Sequence, residues 1–598
     1  MRTIRGLCCC ALVAVVAVGG GLLSAAEQAK PAAGAAAPAK YACFEVDGSM
    51  PETLPPVYLM ETTEGTLHAV LDGLGKARTD PQVRGLIVKV GDVGAGWAKV
   101  QEVRQELARC RQGGKQVVCV LEGGGNMGYY LATAADRVVL LPSGQLMLVG
   151  LRAEAIFLKG LLDKIGVKGD FVQAGKYKSA VESFTQTGPS PAAREELESV
   201  LDDYYQQLLA AVAEGRHVPE SRAAALLRDG PYTAAQAKAA GLVDDVMFYD
   251  ELVTDLARSG GPRFEVVTDY GRGERPEVPK PGSMGFLSML LGGGPTRRAG
   301  VTGPSIAVIY AVGPILSEET DGLLFGEEMV SSRTLAKTIR KAAEDANVKA
   351  IVLRVDSPGG SADAADEIWH ELRLADAKKP VLASLSDVAA SGGYYIAAGA
   401  RKIYADPGCL TGSIGVFGGK LVLAGLLEKV GLNVAIVERG RHGGIESPLS
   451  EFTPDERRKV AELVEDTYRL FLARVAATRP KMSVEDVDKV AQGRVWTGAQ
   501  AYTNGLVDAL GGLGEAIDGA KAAAGIPAGQ AVEVIQLPKP RSLFEYLLFG
   551  EESAQTPGLW GAAALPGPLA RVRPYVAALM ALDGELSICM MPAVIVVR

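Results

Sequence analysis

The chain has 598 residues, 48% hydrophobic and 6% aromatic, with a formal net charge of −8. That length is more than one hydrophobic core usually organises, so several domains are expected. No Lys/Arg-rich run offers the electrostatic footprint of a nucleic-acid binder. Cys8, Cys9 and Cys10 lie in an apolar start; Cys43, Cys110, Cys119, Cys409 and Cys589 are scattered singly. With only four histidines besides, neither a disulfide framework nor a metal centre is expected.

In chain order, Arg2 and Arg5 precede an uncharged run from Gly6 to Leu23, followed by Ser24-Ala25-Ala26. Residues 1–26 are therefore expected to be an export signal or a retained membrane anchor, with the main body on the exported side. An Ala/Pro linker fills 27–40.

From there the chain is written twice. YTAAQAKAAGLVD (232–244) returns as WTGAQAYTNGLVD (496–508), with eight of thirteen positions identical. GLIVKV (85–90) pairs with AIVLRV (350–355), GYYLATAADRVVLLP (128–142) with GYYIAAGARKIYADP (393–407), and the stretch from Ser190 with that from Thr453. An internal repeat of this kind sets the architecture: one copy over 41–258, a Gly/Pro-rich linker over 259–304, a second copy over 305–525, and an extension over 526–598. Within the second copy SIAVIYAV, AIVLRV, PVLASLS, RKIYADP and NVAIVE read as strands. SRTLAKTIRKAAEDAN, DAADEIWHELRLA and the stretch after Thr453 read as helices, the last opened by the capping box Thr453-Pro454-Asp455-Glu456. Strands alternating with helices predict an α/β fold with mainly parallel sheets, ligands lying beyond the carboxyl ends of the strands.

The informative positions are those where the copies differ. Ser391-Gly392-Gly393 stands opposite Asn126-Met127-Gly128, and VDSPGGSAD (355–363) opposite VGDVGAGWA (90–98), which lacks the Pro-Gly-Gly. Conversely GKYKSAVESF (175–184) faces GRHGGIESPL (440–449), so Lys178 falls opposite Gly443. One repeat carries a candidate nucleophile and the other a candidate base. A Ser-Gly-Gly at a helix start is often only an N-cap, but two further small-residue turns at the same sheet edge exceed what capping needs. A serine needs a base to take its proton. A lysine can serve only when neutral, and desolvation that lowers its pKa to about 8 gains about 3 kcal/mol over the free amine. Lys178, beside apolar Ala180-Val181, is preferred to Lys176; His442 is the rival base, and His370 reads as structural. Backbone N–H groups of Gly359 and Gly392 are candidate oxyanion donors. Thr411 and Ser413 either position substrate or belong to the core around Ile414 and Val416.

VDSPGGSADAADEI, DVAASGGYYIA, TGSIGVFG and GKYKSAVESF, in this order of function across a doubled layout, resemble the signal peptide peptidase A (protease IV) family in its long two-repeat form. The resemblance spans 41 to about 525. It implies tandem ClpP/crotonase-like domains, Ser391 as nucleophile, Lys178 as general base, and Gly359 with Gly392 as the oxyanion hole. It further implies no cofactor, a membrane-anchored homo-oligomer, a tetramer, and cleaved signal peptides as substrates. A crotonase-like acyl-CoA enzyme and a non-catalytic envelope scaffold are the alternatives. For the extension after 525, subunit packing is the default expectation.

Overall fold

Leu86-Ile87-Val88 and Ile351-Val352-Leu353 are apolar at every position, the pattern of strands covered on both faces, and all six residues are fully buried. The computed structural model describes residues 39–53, 57–58, 65–260, 264–268, 270–271, 303–317, 329–527, 530, 532–538, 541–542, 587–591 and 596–597. The first repeat supplies β1 (Ala39–Gly48), α1 (Leu67–Thr79), β2 (Val83–Val93), α2 (Trp97–Gln112), β3 (Gln116–Leu121), α3 (Asn126–Ala132), β4 (Arg137–Leu140), β5 (Lys168–Ala174), α4 (Pro191–Gly215), β6 (Asp245–Val246) and β7 (Phe264–Val267). Its sheet runs β6-β4-β3-β2-β1-β7, every neighbouring pair parallel.

The second repeat gives β8 (Ser305–Val312), α5 (Ser332–Glu344), β9 (Val348–Ser357), β10 (Gly359–Ser361), α6 (Ala362–Asp376), β11 (Val381–Ala390), α7 (Gly392–Ala397), β12 (Lys402–Ala405), β13 (Leu410–Gly412), β14 (Val416–Val422), α8 (Pro454–Ala476), β15 (Val495–Thr497), α9 (Leu513–Ala523) and β16 (Glu533–Leu537). Its sheet runs β15-β13-β11-β9-β8-β16, with β12 also on β11, and only β13–β15 is antiparallel. α8 begins with the expected capping box and Pro454 in its first turn.

The repeat is real in three dimensions. The Tyr129 hydroxyl donates to Leu242 O and the Tyr394 hydroxyl to Leu506 O, both at 2.7 Å. Each contact ties the helix that follows β3 or β11 to the Gly-Leu-Val-Asp motif of its own copy. The aspartates of the two motifs, Asp244 and Asp508, accept from Val138 N and Ile403 N in the same way.

The halves are joined by charge as well as by apolar contact. Arg354 on β9 is fully buried and pairs with Glu52 at 2.7 Å and with Glu102 on α2. Lys99 of α2 lies 2.8 Å from Asp356 and 3.5 Å from Asp387. Asp387 also accepts from the N–H groups of Gly96 and Lys99. Such groups tolerate burial only when mutually paired, and here the pairing spans the two halves. A further sheet then crosses the junction: β5 of the first repeat pairs antiparallel with β14 of the second, from Val416↔Ala174 to Val422↔Lys168.

One predicted strand is absent. NVAIVE (433–438) is irregular, and Val434, Ile436 and Val437 are exposed, Val437 by 81%. Its counterpart in the first repeat is β5, which finds the edge of β14; 433–438 pairs with no strand among the described residues. β-branched composition expresses itself as a strand only against a partner. Among the described residues no helix is long and apolar enough to cross a membrane. The expected signal or anchor at 1–26 lies outside them, as does most of the 259–304 linker.

Candidate active site

Strand β11 delivers Ser391, and the chain reverses there into α7. Ser391 sits at φ 54°, ψ −115°, and its side chain makes no capping hydrogen bond. A β-carbon-bearing residue at positive φ is strained by about 1–3 kcal/mol, which the surrounding ladder imposes: Ser391 N donates to Gly412 O at 2.8 Å. The bland reading of this serine, a helix cap, is thereby excluded, and Oγ is left to other partners.

The partner comes from the other half. β5 ends at Ala174, and the following turn is fastened by Tyr177 N donating to Gln492 O at 2.7 Å. Gly493 backs this turn at φ +78°, and a β-carbon there would lie 2.5 Å from Lys178 N. Lys178 is fully buried. Its Nζ lies 2.7 Å from Ser391 Oγ, 3.0 Å from Ser413 O and 3.1 Å from Ser413 Oγ. Burial pushes its pKa down to about 7, against weaker opposing effects of Cys589 and Glu196. Glu196, on α4, is itself buried, accepts from Val495 N, and is raised to about 8, chiefly by desolvation.

The other candidates lie elsewhere. Lys176 Nζ is 3.2 Å from the Tyr177 hydroxyl on the surface. His442 Nε2 is 3.1 Å from Asp455 Oδ2, whereas the hydrogen-bond partners of Ser391 Oγ are Lys178 Nζ and, at 3.5 Å, Gly415 O. His370 is exposed on α6. Thr411 Oγ1 donates to Ala389 O at 2.7 Å, a bond inside the sheet. Ser413 touches the Lys178 amine.

At the glycine turn, Gly359 has φ +100° and donates its N–H to Ser357 Oγ at 3.2 Å. Its backbone abuts the start of α7, since a β-carbon on Gly359 would lie 2.7 Å from Gly392 N. The carbonyl oxygen of Cys589 occupies the same place, 2.0 Å from that β-carbon position. Thus Ser391, Lys178, Gly359 and Gly392 converge on one point, although Lys178 and Ser391 are 213 positions apart.

Sequence reasoning missed two participants. Glu196 stands where the second repeat has Lys459, a polar reversal of the kind that singled out Lys178. Cys589 lies in the extension expected to contact other subunits; its described part instead packs into this chain's own site.

A buried amine at lowered pKa, 2.7 Å from a serine hydroxyl at a small-residue turn, is an arrangement suited to a nucleophilic hydrolase built on a doubled α/β fold. Comparison with known proteins narrows the class. The family model for peptidase family S49 matches residues 109–261 and 373–527. The chloroplastic serine protease SPPA of Arabidopsis thaliana is 35% identical over 81% of this chain and 70% of its own. Protease 4 of Salmonella typhi is 34% identical over 77% and 72%, and protease 4 of Haemophilus influenzae 32% over 76% and 72%. The chain belongs to peptidase family S49 and is a serine peptidase.

Proposed function

We propose that this peptidase is an endopeptidase in which Ser391 is the nucleophile and Lys178 its general base, acting through an acyl-enzyme. The observation that carries the reading is the buried 2.7 Å approach of Nζ to Oγ. A neutral amine has two N–H bonds and one lone pair. Ser413 O and Ser413 Oγ take the N–H bonds, which leaves the lone pair directed at the Ser391 hydroxyl. On attack the proton passes from Oγ to Nζ, and from Nζ to the departing amine.

The developing oxyanion is held by the N–H of Gly392 and by the glycine turn. Here the donor role moves from Gly359 to Gly360. The Gly359 N–H is engaged by Ser357 Oγ, and Gly359 provides the positive φ that turns the next N–H toward the site. Each such donor is worth about 3–4 kcal/mol.

Released signal peptides and other short or unfolded chains are the substrate class. The charge pattern of residues 1–26 supports membrane attachment with the catalytic body on the exported side. The chain functions as a homo-oligomer, a tetramer. A fluorophosphonate probe tests the chemistry: labelling is expected at Ser391, and Ser391→Ala should lose both label and peptide cleavage. Labelling of another residue with cleavage intact in Ser391→Ala would reject the reading.

A further inference from the structure

The strands that carry the two catalytic turns end out of register. β9 and β11 pair regularly as far as Val355↔Leu385, and the next pair is Ser357↔Ala389, so Asp356 alone stands opposite Ser386, Asp387 and Val388. A bulge of this kind bends its strand and re-aims the residues beyond it. Beyond this one lie the glycine turn on β9 and, four positions after Asp387, Ser391 on β11. The corresponding ladder of the first repeat runs without a shift from Gly85↔Gln116 to Val90↔Leu121.

Three side chains brace the bulge. The Asp356 carboxylate accepts from Val388 N at 3.2 Å, a backbone donor inside it. The Asp387 carboxylate reaches the first repeat, where it accepts from Gly96 N and Lys99 N, both at 3.0 Å. It thereby caps α2 in place of Gly96, which stands at the N-cap without a side chain. The Lys99 ammonium closes the triangle, 2.8 Å from Asp356 and 3.5 Å from Asp387. Desolvation opposes its charge, but Asp356, Asp387 and Glu52 outweigh that and raise its pKa above the ordinary lysine value. Burial therefore acts oppositely on two lysines of the first repeat. Lys178, hydrogen-bonded to serines, is lowered; Lys99, set between carboxylates, stays an ammonium. Asp387 is pushed up to about 6, first by burial, with Asp356 adding to the rise and Lys99 opposing it. Without the cation each carboxylate would drive the other away. In the other copy Gly91 stands for Asp356 and Ala364 for Lys99, the same kind of asymmetry that marks Ser391 and Lys178.

We propose that Lys99 is a positioning residue for the reaction: through Asp356 and Asp387 it holds the bulge that sets Ser391 against the glycine turn. This rests on the Ser391–Lys178 reading. Lys99 acts through the two carboxylates and not on the reacting atoms, so its contribution is to turnover and not to substrate affinity. A salt bridge that merely docked the repeats would lower stability and leave kcat of the folded enzyme alone.

The test compares the full-length wild type with Lys99→Met, Lys99→Arg, Asp387→Asn and Leu74→Ala, the last a cavity in the first-repeat core. Each is read for urea midpoint, for kcat and KM on a fluorogenic peptide, and for the rate of fluorophosphonate labelling at Ser391. A misplacement of about 1 Å costs about 100-fold, so Lys99→Met is expected to lose about 100-fold in kcat and in labelling rate, with KM within about two-fold. Lys99→Arg keeps the cation and should recover to within about ten-fold of wild type. Asp387→Asn keeps an acceptor for the two N–H groups but not the charge. It should lose about ten-fold in kcat, and it decides the matter if Lys99→Met does not fold. Leu74→Ala should lower the urea midpoint and leave kcat within about two-fold. A folded Lys99→Met or Asp387→Asn with wild-type kcat overturns the inference, as does a Leu74→Ala that loses as much kcat as Lys99→Met; labelling of wild type at Ser391 then leaves the Ser391–Lys178 chemistry standing. Labelling of wild type at another residue rejects that chemistry itself.

Discussion

Replacing Lys178 by methionine keeps an unbranched, buried side chain and removes the amine. At the ordinary lysine pKa only about one amine in 3,000 is neutral at pH 7; at the value of about 7 that burial imposes, roughly half are, a gain of about 4 kcal/mol in available base. A positioned general base contributes about 10²- to 10⁴-fold, so Lys178→Met is expected to lower kcat/KM for a fluorogenic peptide about 10³- to 10⁴-fold. Because the neutral form acts, wild-type kcat/KM should rise with pH and level off above about 7. Stability carries the same signature with a definite sign. The folded pKa lies below the unfolded one, so between about 7 and 10.5 the unfolded chain binds the extra proton and wild-type stability rises with pH. Across the whole window the rise amounts to about 5 kcal/mol. The Met variant lacks this component: its Tm should exceed wild type most at pH 7, the gap closing toward pH 10. Turnover of Lys178→Met within ten-fold of wild type, or a flat wild-type profile from pH 6 to 8, would refute the reasoning.

The neighbours of that amine give further tests. Ser413→Ala removes one hydrogen-bond partner of Nζ and should cost about 1 kcal/mol of transition-state stabilisation, read as a roughly five-fold fall in kcat at unchanged KM. Gly493→Ala places a β-carbon against the Lys178 backbone; a displacement of about 1 Å is expected to cost about 100-fold in kcat, with far-UV circular dichroism unchanged. Glu196→Gln, replacing a group raised to about 8 and hence mostly protonated at pH 7, should keep kcat near wild type at pH 7 and leave the acid limb of the profile in place. Arg354→Ala leaves Glu52 and Glu102 buried without their cation and should destabilise the chain by about 3–5 kcal/mol, measured by urea denaturation.

The fold was legible where the chain repeats itself. Continuous apolar runs such as Ile351-Val352-Leu353 marked strands covered on both faces, and Thr453 announced its helix through a local capping pattern. Ser391 and Lys178 stood out because each breaks the symmetry between copies at a turn. The failures share one cause, dependence on a distant partner. NVAIVE has the composition of a strand and no edge to lie on among the described residues. Cys589 carries no local signal, since its position comes from a ladder with β10 that only the folded chain creates.

The distance along the chain between Lys178 and Ser391 has a consequence for synthesis. A ribosome delivers the amine long before the hydroxyl, and the ion network around Arg354 cannot close until Asp387 has also emerged. A polypeptide that ends before Ser391 therefore holds half of the proposed pair and is harmless to its surroundings. On the proposed chemistry, hydrolytic power arrives only once the second repeat has been made, so translation itself acts as the safety catch.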